Sequence, residues 1–134
     1  MQDFLYRMQI LEEHLDSFGH VNNAKYLEMY EKARWEMITL GGYSYKKVQE
    51  LQKGPVVLEA HVKFRKELVL REWVTIDFNI GVVEGKKLQK GSQNIIKDNG
   101  EIASTAEFVF GFFDLKERKL IEPTLEWKQA LGLN

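Results

Sequence analysis

An acid, a glycine and two adjacent asparagines make Asp16-Ser-Phe-Gly-His-Val-Asn-Asn-Ala-Lys-Tyr26 the stretch of this chain best suited to chemistry. Asp16 is expected at the end of a strand, Gly19 in a tight turn, and Asn22-Asn23 where a helical period begins. A helix start presents backbone N–H groups without partners, and these can stabilise a developing oxyanion. A carboxylate beside them can activate water or attack directly, so the pattern suits hydrolysis of an activated carbonyl. The plainer role for Asp16 is a turn or helix cap. Asn22 and Asn23 already supply cap chemistry, which leaves the acid surplus to local structure.

Other polar and aromatic residues have two readings each. His20 is either a base or hydrogen-bonding group of a site, or a turn histidine satisfied by carbonyls. Asn23 can cap with its side chain and also offer its backbone N–H to a ligand. Tyr26 and Tyr30, a turn apart, read first as core or interface aromatics and second as the wall of a binding channel. His14 should share a strand side with Asp16. Lys63, Arg65, Lys66, Arg71, Lys86, Lys87 and Lys90 are either solvated charges or contacts for the phosphates of a carrier such as coenzyme A. Glu59 and His61 read as sheet-face residues. Glu28, Glu31 and Glu36 on the helix read mostly as solvated charges, and one facing a cleft would be a rival carboxylate.

These residues need a scaffold, and the hydrophobic period supplies one. Alternation from Phe4 to about Leu11 reads as a strand. Leu27, Tyr30, Ala33 or Arg34, and Met37 recur at helical steps through 23–40, with a Glu28–Lys32 pair on the wetter face and a stop at Gly41-Gly42. A short helix is expected over 44–53, capped by Ser44 and ended at Gly54-Pro55. Beyond it the period is two. Val56, Leu58, Ala60, Val62 and Phe64 should share one face, and Val74, Ile76, Phe78 and Ile80 another. Turns are expected at Gly85-Lys86-Lys87 and Asp98-Asn99-Gly100. The last long strand spans Glu101 to Asp114, with Phe108, Phe110, Phe112 and Phe113 buried, and a helix follows from Thr124 to Leu131. The result is an α+β layer pair of one long helix and about five antiparallel strands. Apolar residues on both sides of the last strand point to a partner subunit over the second face or along an edge.

Composition narrows the class. The 134 residues form a single domain over 1–134, and a net charge of −1 argues against a nucleic-acid surface. With no cysteine, thiolate catalysis and cysteine-based zinc sites drop out, and the three histidines lack metal-ligand spacing. No metal and no cofactor is expected. No signal peptide is recognised and no apolar run nears the roughly 20 residues of a membrane span, so no membrane insertion and a cytoplasmic location are expected. Phosphate-binding glycine loops and the Gly-x-Ser-x-Gly elbow are missing.

His14-Leu-Asp-Ser-Phe-Gly-His-Val-Asn-Asn-Ala-Lys-Tyr-Leu-Glu, continued by Ala33-Arg-Trp-Glu36, resembles the signature of hotdog-fold acyl-CoA thioesterases of the 4-hydroxybenzoyl-CoA thioesterase group. Within that group it is most similar to the bacterial long-chain acyl-CoA thioesterases. Val56-Val-Leu-Glu-Ala-His-Val-Lys-Phe-Arg-Lys-Glu-Leu and Phe108 to Asp114 resemble later strands of the family. The resemblance implies a hotdog fold, in which the sheet wraps one long central helix and two subunits pair into a continuous sheet. It also implies an acyl-CoA substrate, a homodimer or homotetramer, and active sites at the subunit interface. By position, Asp16 would be the catalytic carboxylate and the Asn23 N–H the oxyanion donor. His20 and Asn22 match the motif without a settled role. Phe18 stands where plant acyl-carrier thioesterases with the same turn carry Asn. Relatives with a glutamate on the central helix lack this Asp motif, which makes Glu28 and Glu31 runners-up. The acyl chain would run beside the helix near Tyr26 and Tyr30, with Lys63 and Arg65 toward the nucleotide. The alternatives are an acyl-carrier-protein thioesterase, a hotdog module that binds acyl-CoA without cleaving it, and a hotdog dehydratase or hydratase, whose His beside a Pro-Gly step is missing here.

Overall fold

Helix α1 (Asn23–Leu40) begins where the Asn22 side chain accepts a hydrogen bond from the Ala24 N–H at 2.9 Å. This is a computed structural model, and it describes residues 4–82 and 87–133. The helix buries Tyr26, Met29, Tyr30, Ala33, Arg34, Met37 and Ile38, a three- and four-residue repeat that forms one stripe. Leu27, expected in that stripe, is 45% exposed because it sits a residue off its axis. Glu28 pairs with Lys25 at 3.0 Å, one turn back, in place of the expected Lys32. Gly41 closes the helix by donating its N–H to the Met37 carbonyl at 3.0 Å.

Ser44 caps α2 (Tyr45–Leu51), which ends at Gln52 in the left-handed region. Strand β2 (Lys53–Phe64) starts at once, so Gly54-Pro55 lies inside a strand and does not stop the helix as expected. Pro55 is tolerated because β2 is an edge strand. The other strands are β1 (Leu5–Gln9), β3 (Trp73–Asp77), β4 (Asn79–Val82), β5 (Leu88–Lys97), β6 (Ile102–Asp114) and β7 (Lys119–Ile121), and α3 (Leu125–Ala130) ends the series. All pairings are antiparallel, in the order β1-β3-β5-β6-β2, with β4 added to β5 and β7 to β6. Among the described residues the sheet has seven strands, not about five. A break at Phe78 splits the expected Val74–Ile80 strand. The chain also folds back after Asp114, whose Oδ1 accepts from the N–H groups of Lys116 and Glu117. In β2 a bulge between Val57 and Glu59 shifts the register against β6, which interrupts the single apolar face expected from Val56 to Phe64. The Asp98-Asn99-Gly100 turn forms as expected; the Gly85-Lys86-Lys87 turn falls largely outside the described residues.

The sheet packs its inner face on α1 through Phe108, Phe110 and Phe112, all buried, while Val109 and Phe113 on the other face are half-buried. Hydrogen bonds pair several polar groups in this core, while Gln89 Nε2 has no partner among the described residues. Tyr30 donates its hydroxyl to Ser104 Oγ at 2.6 Å, Tyr43 to the Lys53 carbonyl at 3.0 Å, and Trp127 Nε1 to Gln89 Oε1 at 2.8 Å. The start of α1 and the inner face of β2 and β6 thus belong to one packed body.

Two tests of this packing follow. A Cβ on Gly41 would lie 1.9 Å from the Ala130 carbonyl oxygen, a backbone atom that moves only with α3. Gly41→Ala is therefore expected to cost about 1–3 kcal/mol by overpacking, read as a lower urea midpoint with unchanged slope. The second concerns alkaline pH. Burial raises the hydroxyl pKa of Tyr26 and Tyr30 and pushes Tyr43 from its usual 10 up to about 12. Above pH 10 the unfolded chain loses protons that the folded core retains. Stability from these tyrosines is complete below that pH and falls as pH rises, Tyr43's share being gone past about 12. Urea midpoints measured at increasing alkaline pH check the sign.

Candidate active site

Between β1 and α1 the chain makes a 3₁₀ turn at Glu12–His14, where a strand end had been expected, and then an isolated bridge joins Leu15 to Val21. His14 Nδ1 accepts from the Leu11 N–H at 2.8 Å and so closes this turn. The Leu15–Val21 bridge clamps the segment that carries Asp16. Asp16 donates its N–H to the His20 carbonyl at 2.7 Å, and Asp16 Oδ1 accepts from the N–H groups of Phe18 at 2.9 Å and His20 at 3.1 Å. Gly19 takes φ 81°, a left-handed conformation that glycine adopts without Cβ strain. The acid is thus not surplus to local structure: one of its oxygens organises the turn. Its other oxygen has no hydrogen-bond partner among the described residues.

The same clamp delivers the helix start. Asn22 donates its N–H to the His14 carbonyl at 3.0 Å while its side chain caps Ala24. The Asn23 N–H, in the first turn of α1, has no partner among the described residues. One free carboxylate oxygen and one free helix N–H therefore belong to a single locked segment, which is the combination an addition to a carbonyl carbon needs.

Beside this segment lies a cleft of about 250 Å³ lined by His20, Val21, Tyr26, Phe64, Arg65, Lys66, Glu67 and Leu68. It brings together four of the residues singled out from the sequence, His20, Tyr26, Arg65 and Lys66. The ring of Tyr26 meets Phe64 edge-on at 4.8 Å, which ties the first turns of α1 to the end of β2. Burial raises the Tyr26 pKa, with the charges of Glu72 and Glu67 adding to it. His20 Nε2 lies 3.1 Å from Glu67 Oε1. Glu67 escaped sequence reading because its partner is remote in the chain and no period marks a loop carboxylate.

Tyr30 and Lys63 stand apart from this cleft. Tyr30 is sealed in the core on Ser104, and Lys63 is exposed on β2, outside the cleft lining. A second cavity, of about 140 Å³, lies farther along α1, where Glu31, Arg34, Trp35 and Ile38 face Pro55, Val56 and Val57 of β2, with Phe110 and Trp127 also in its wall. A larger concavity, about 720 Å³, spans Glu59, His61, Lys90, Ser92 and Glu107 on the strands and holds no residue of the Asp16 turn. Among the described residues no three His, Cys, Asp or Glu side chains are grouped to hold a metal, and no helix is long and apolar enough to cross a membrane.

The profile of the thioesterase-like superfamily matches residues 11–131, from the turn before Asp16 through α3. The chain belongs to that superfamily. It is 29% identical over 118 residues to the long-chain acyl-CoA thioesterase FadM of Escherichia coli (strain K12), covering 88% of this chain and 89% of that protein. The crystal structure of the probable thioesterase YbaW from Escherichia coli superposes with a TM-score of 0.82 at 28% identity, over 96% of both chains. A Staphylococcus aureus protein whose structure contains CoA superposes with a TM-score of 0.85 over 96% of this chain and 81% of that one. At 19% identity that likeness is one of fold alone. The hotdog arrangement of long helix and antiparallel sheet implied by the sequence resemblance is the arrangement observed. In this thioesterase-like chain the matched segment contains the whole Asp16 clamp and both walls of the neighbouring cleft.

Proposed function

We propose that the protein hydrolyses acyl-CoA to the free carboxylic acid and CoA at the start of α1. Membership of the thioesterase-like superfamily supports thioester hydrolysis as the reaction. The observation that carries the site is the locked Asp16–Asn23 segment, with one carboxylate oxygen and one helix N–H left over after the turn is satisfied. The Asn23 N–H polarises the thioester carbonyl and holds the oxyanion, a donor of the kind worth on the order of 3 kcal/mol in the transition state. Asp16 either takes a proton from the attacking water or attacks the carbonyl itself, forming an anhydride that water then opens. In both routes the C–S bond breaks and CoA leaves as thiol. Arg65 and Lys66 line the exposed cleft and, with Lys63, supply positive charge for the nucleotide phosphates.

The unpaired edge of β2 supports a homodimer. Val57, Leu58 and Phe64 are exposed along it, and β2 pairs only with β6 among the described residues. A two-fold pairing of β2 with a second copy sets the Phe64 end of one strand beside the Pro55 end of the other. Since Tyr26 packs on Phe64, the helix start of one protomer would then face the cavity beside Pro55, Val56 and Val57 in its partner. The acyl group fits there better than beside Tyr30, which is sealed. The deciding experiment is release of free thiol from a panel of acyl-CoA substrates, run alongside acyl-carrier-protein thioesters. No release from any acyl-CoA would overturn the assignment.

A further inference from the structure

The wall of the α1–β2 cavity contains a charge that the hydrolysis proposed above does not use. Arg34 is only 7% exposed and lines this space. Its Nη1 donates to Gln93 Oε1 at 3.0 Å. Gln93, fully buried, is itself fixed by donating Nε2 to the carbonyl oxygens of Tyr30 at 3.2 Å and Asp77 at 3.1 Å. The guanidinium carbon sits 4.6 Å from the Phe108 ring centre and 5.4 Å from that of Phe110, which fixes its position. Among the described residues Nε and Nη2 have no hydrogen-bond partner, and no carboxylate is within ion-pair distance. Glu31, exposed and in the same lining, acts on it only through its field. Burial drives the Arg34 pKa down to about 10, which shows how poorly the protein alone solvates this cation.

The rest of the wall is mainly apolar: Trp35, Ile38, Val56, Val57, Ile80 and Phe110. At about 140 Å³ the space is close to the roughly 150 Å³ of an apolar cavity that accepts benzene, so it takes a short chain or one ring. A methyl-ended chain would fill it and still leave the guanidinium N–H groups without acceptors. An oxygen at that end would accept from them.

We propose that Arg34 selects acyl groups whose far end carries an oxygen acceptor, a carboxylate or a hydroxyl, seated in the cavity between α1 and β2. Gln93 is the positioning residue that aims the guanidinium. This assignment rests on the acyl-CoA reading and specifies its substrate class.

The test uses the full chain and three CoA thioesters of equal carbon count: hexanoyl-, ω-hydroxyhexanoyl- and hexanedioyl-CoA. For the wild type, kcat/KM for at least one oxygenated substrate should exceed that for hexanoyl-CoA by about tenfold, the effect of one hydrogen bond to a charged group. A preference for hexanedioyl- over ω-hydroxyhexanoyl-CoA identifies the acceptor as a carboxylate, and the reverse order identifies a hydroxyl. Arg34→Met should bring the ratio of oxygenated to plain substrate to about one, and Arg34→Lys should leave it between. Equal use of all three by the wild type overturns the inference while leaving hydrolysis intact. So does an unchanged ratio in Arg34→Met. The wild-type comparison decides alone if the variants fail to fold. No thiol from any of the three overturns the hydrolase reading and this inference together.

Discussion

Asp16→Asn is expected to lower kcat for acyl-CoA hydrolysis by about a thousandfold, in the range lost with a general base, while fold and assembly persist. The reason lies in how the two carboxylate oxygens divide their work. Oδ1 holds the turn by accepting from Phe18 and His20, and an asparagine side-chain oxygen can accept the same bonds. What asparagine lacks is the charge on the oxygen left free for the reaction. Asp16→Ala would lose both, so its effect on rate could not be separated from a loosened turn. Thiol release, circular dichroism and urea unfolding on Asp16→Asn check the pair of expectations. Turnover within tenfold of wild type would place the reacting carboxylate elsewhere, with Glu67 beside His20 the first candidate.

Trp127→Ala should be the most destabilising single change considered, costing about 3–5 kcal/mol by loss of a large buried aromatic. Trp127 is 2% exposed and packs on Tyr43 and Phe112 with ring centres 5.3 Å away in each case. Its Nε1 also donates to Gln89, whose buried Nε2 already has no partner among the described residues. Removing the indole strips the amide of its remaining bond as well as its packing. Trp127→Phe separates the parts, since it keeps much of the ring volume and loses the donor. Urea midpoints for both, with the slope unchanged, give the packing and hydrogen-bond contributions.

The elements that were legible in the sequence are those fixed by local chemistry. Asn22, Ser44 and Thr124 each cap a helix by a side-chain bond within three residues, and helix bounds follow from such caps. Alternation found the strands but not their interruptions. The bulge after Val57 lies in the pairing with β6, and beside the break at Phe78 the Asp77 carboxylate accepts from the Asn94 N–H of β5, contacts that no window on one strand contains. The site divides along the same line. Asp16, Gly19, Asn22 and Asn23 are neighbours in sequence, so their grouping could be read directly. The contacts of His20 with Glu67 and of Arg34 with Gln93 join distant segments. In the helical period Arg34 looked like an alternative to Ala33. Only the packed structure reveals a cation lodged over the rings of Phe108 and Phe110.

The bare flank of β2 has a consequence for handling the protein. In the proposed dimer, where pairing along β2 would cover Val57, Leu58 and Phe64, the native form would be held partly by mass action. Its melting temperature should climb with protein concentration, and dilution should cost heat resistance before it costs secondary structure. Calorimetry across a hundredfold concentration series would register that climb, and a flat series would mean the edge is stable alone.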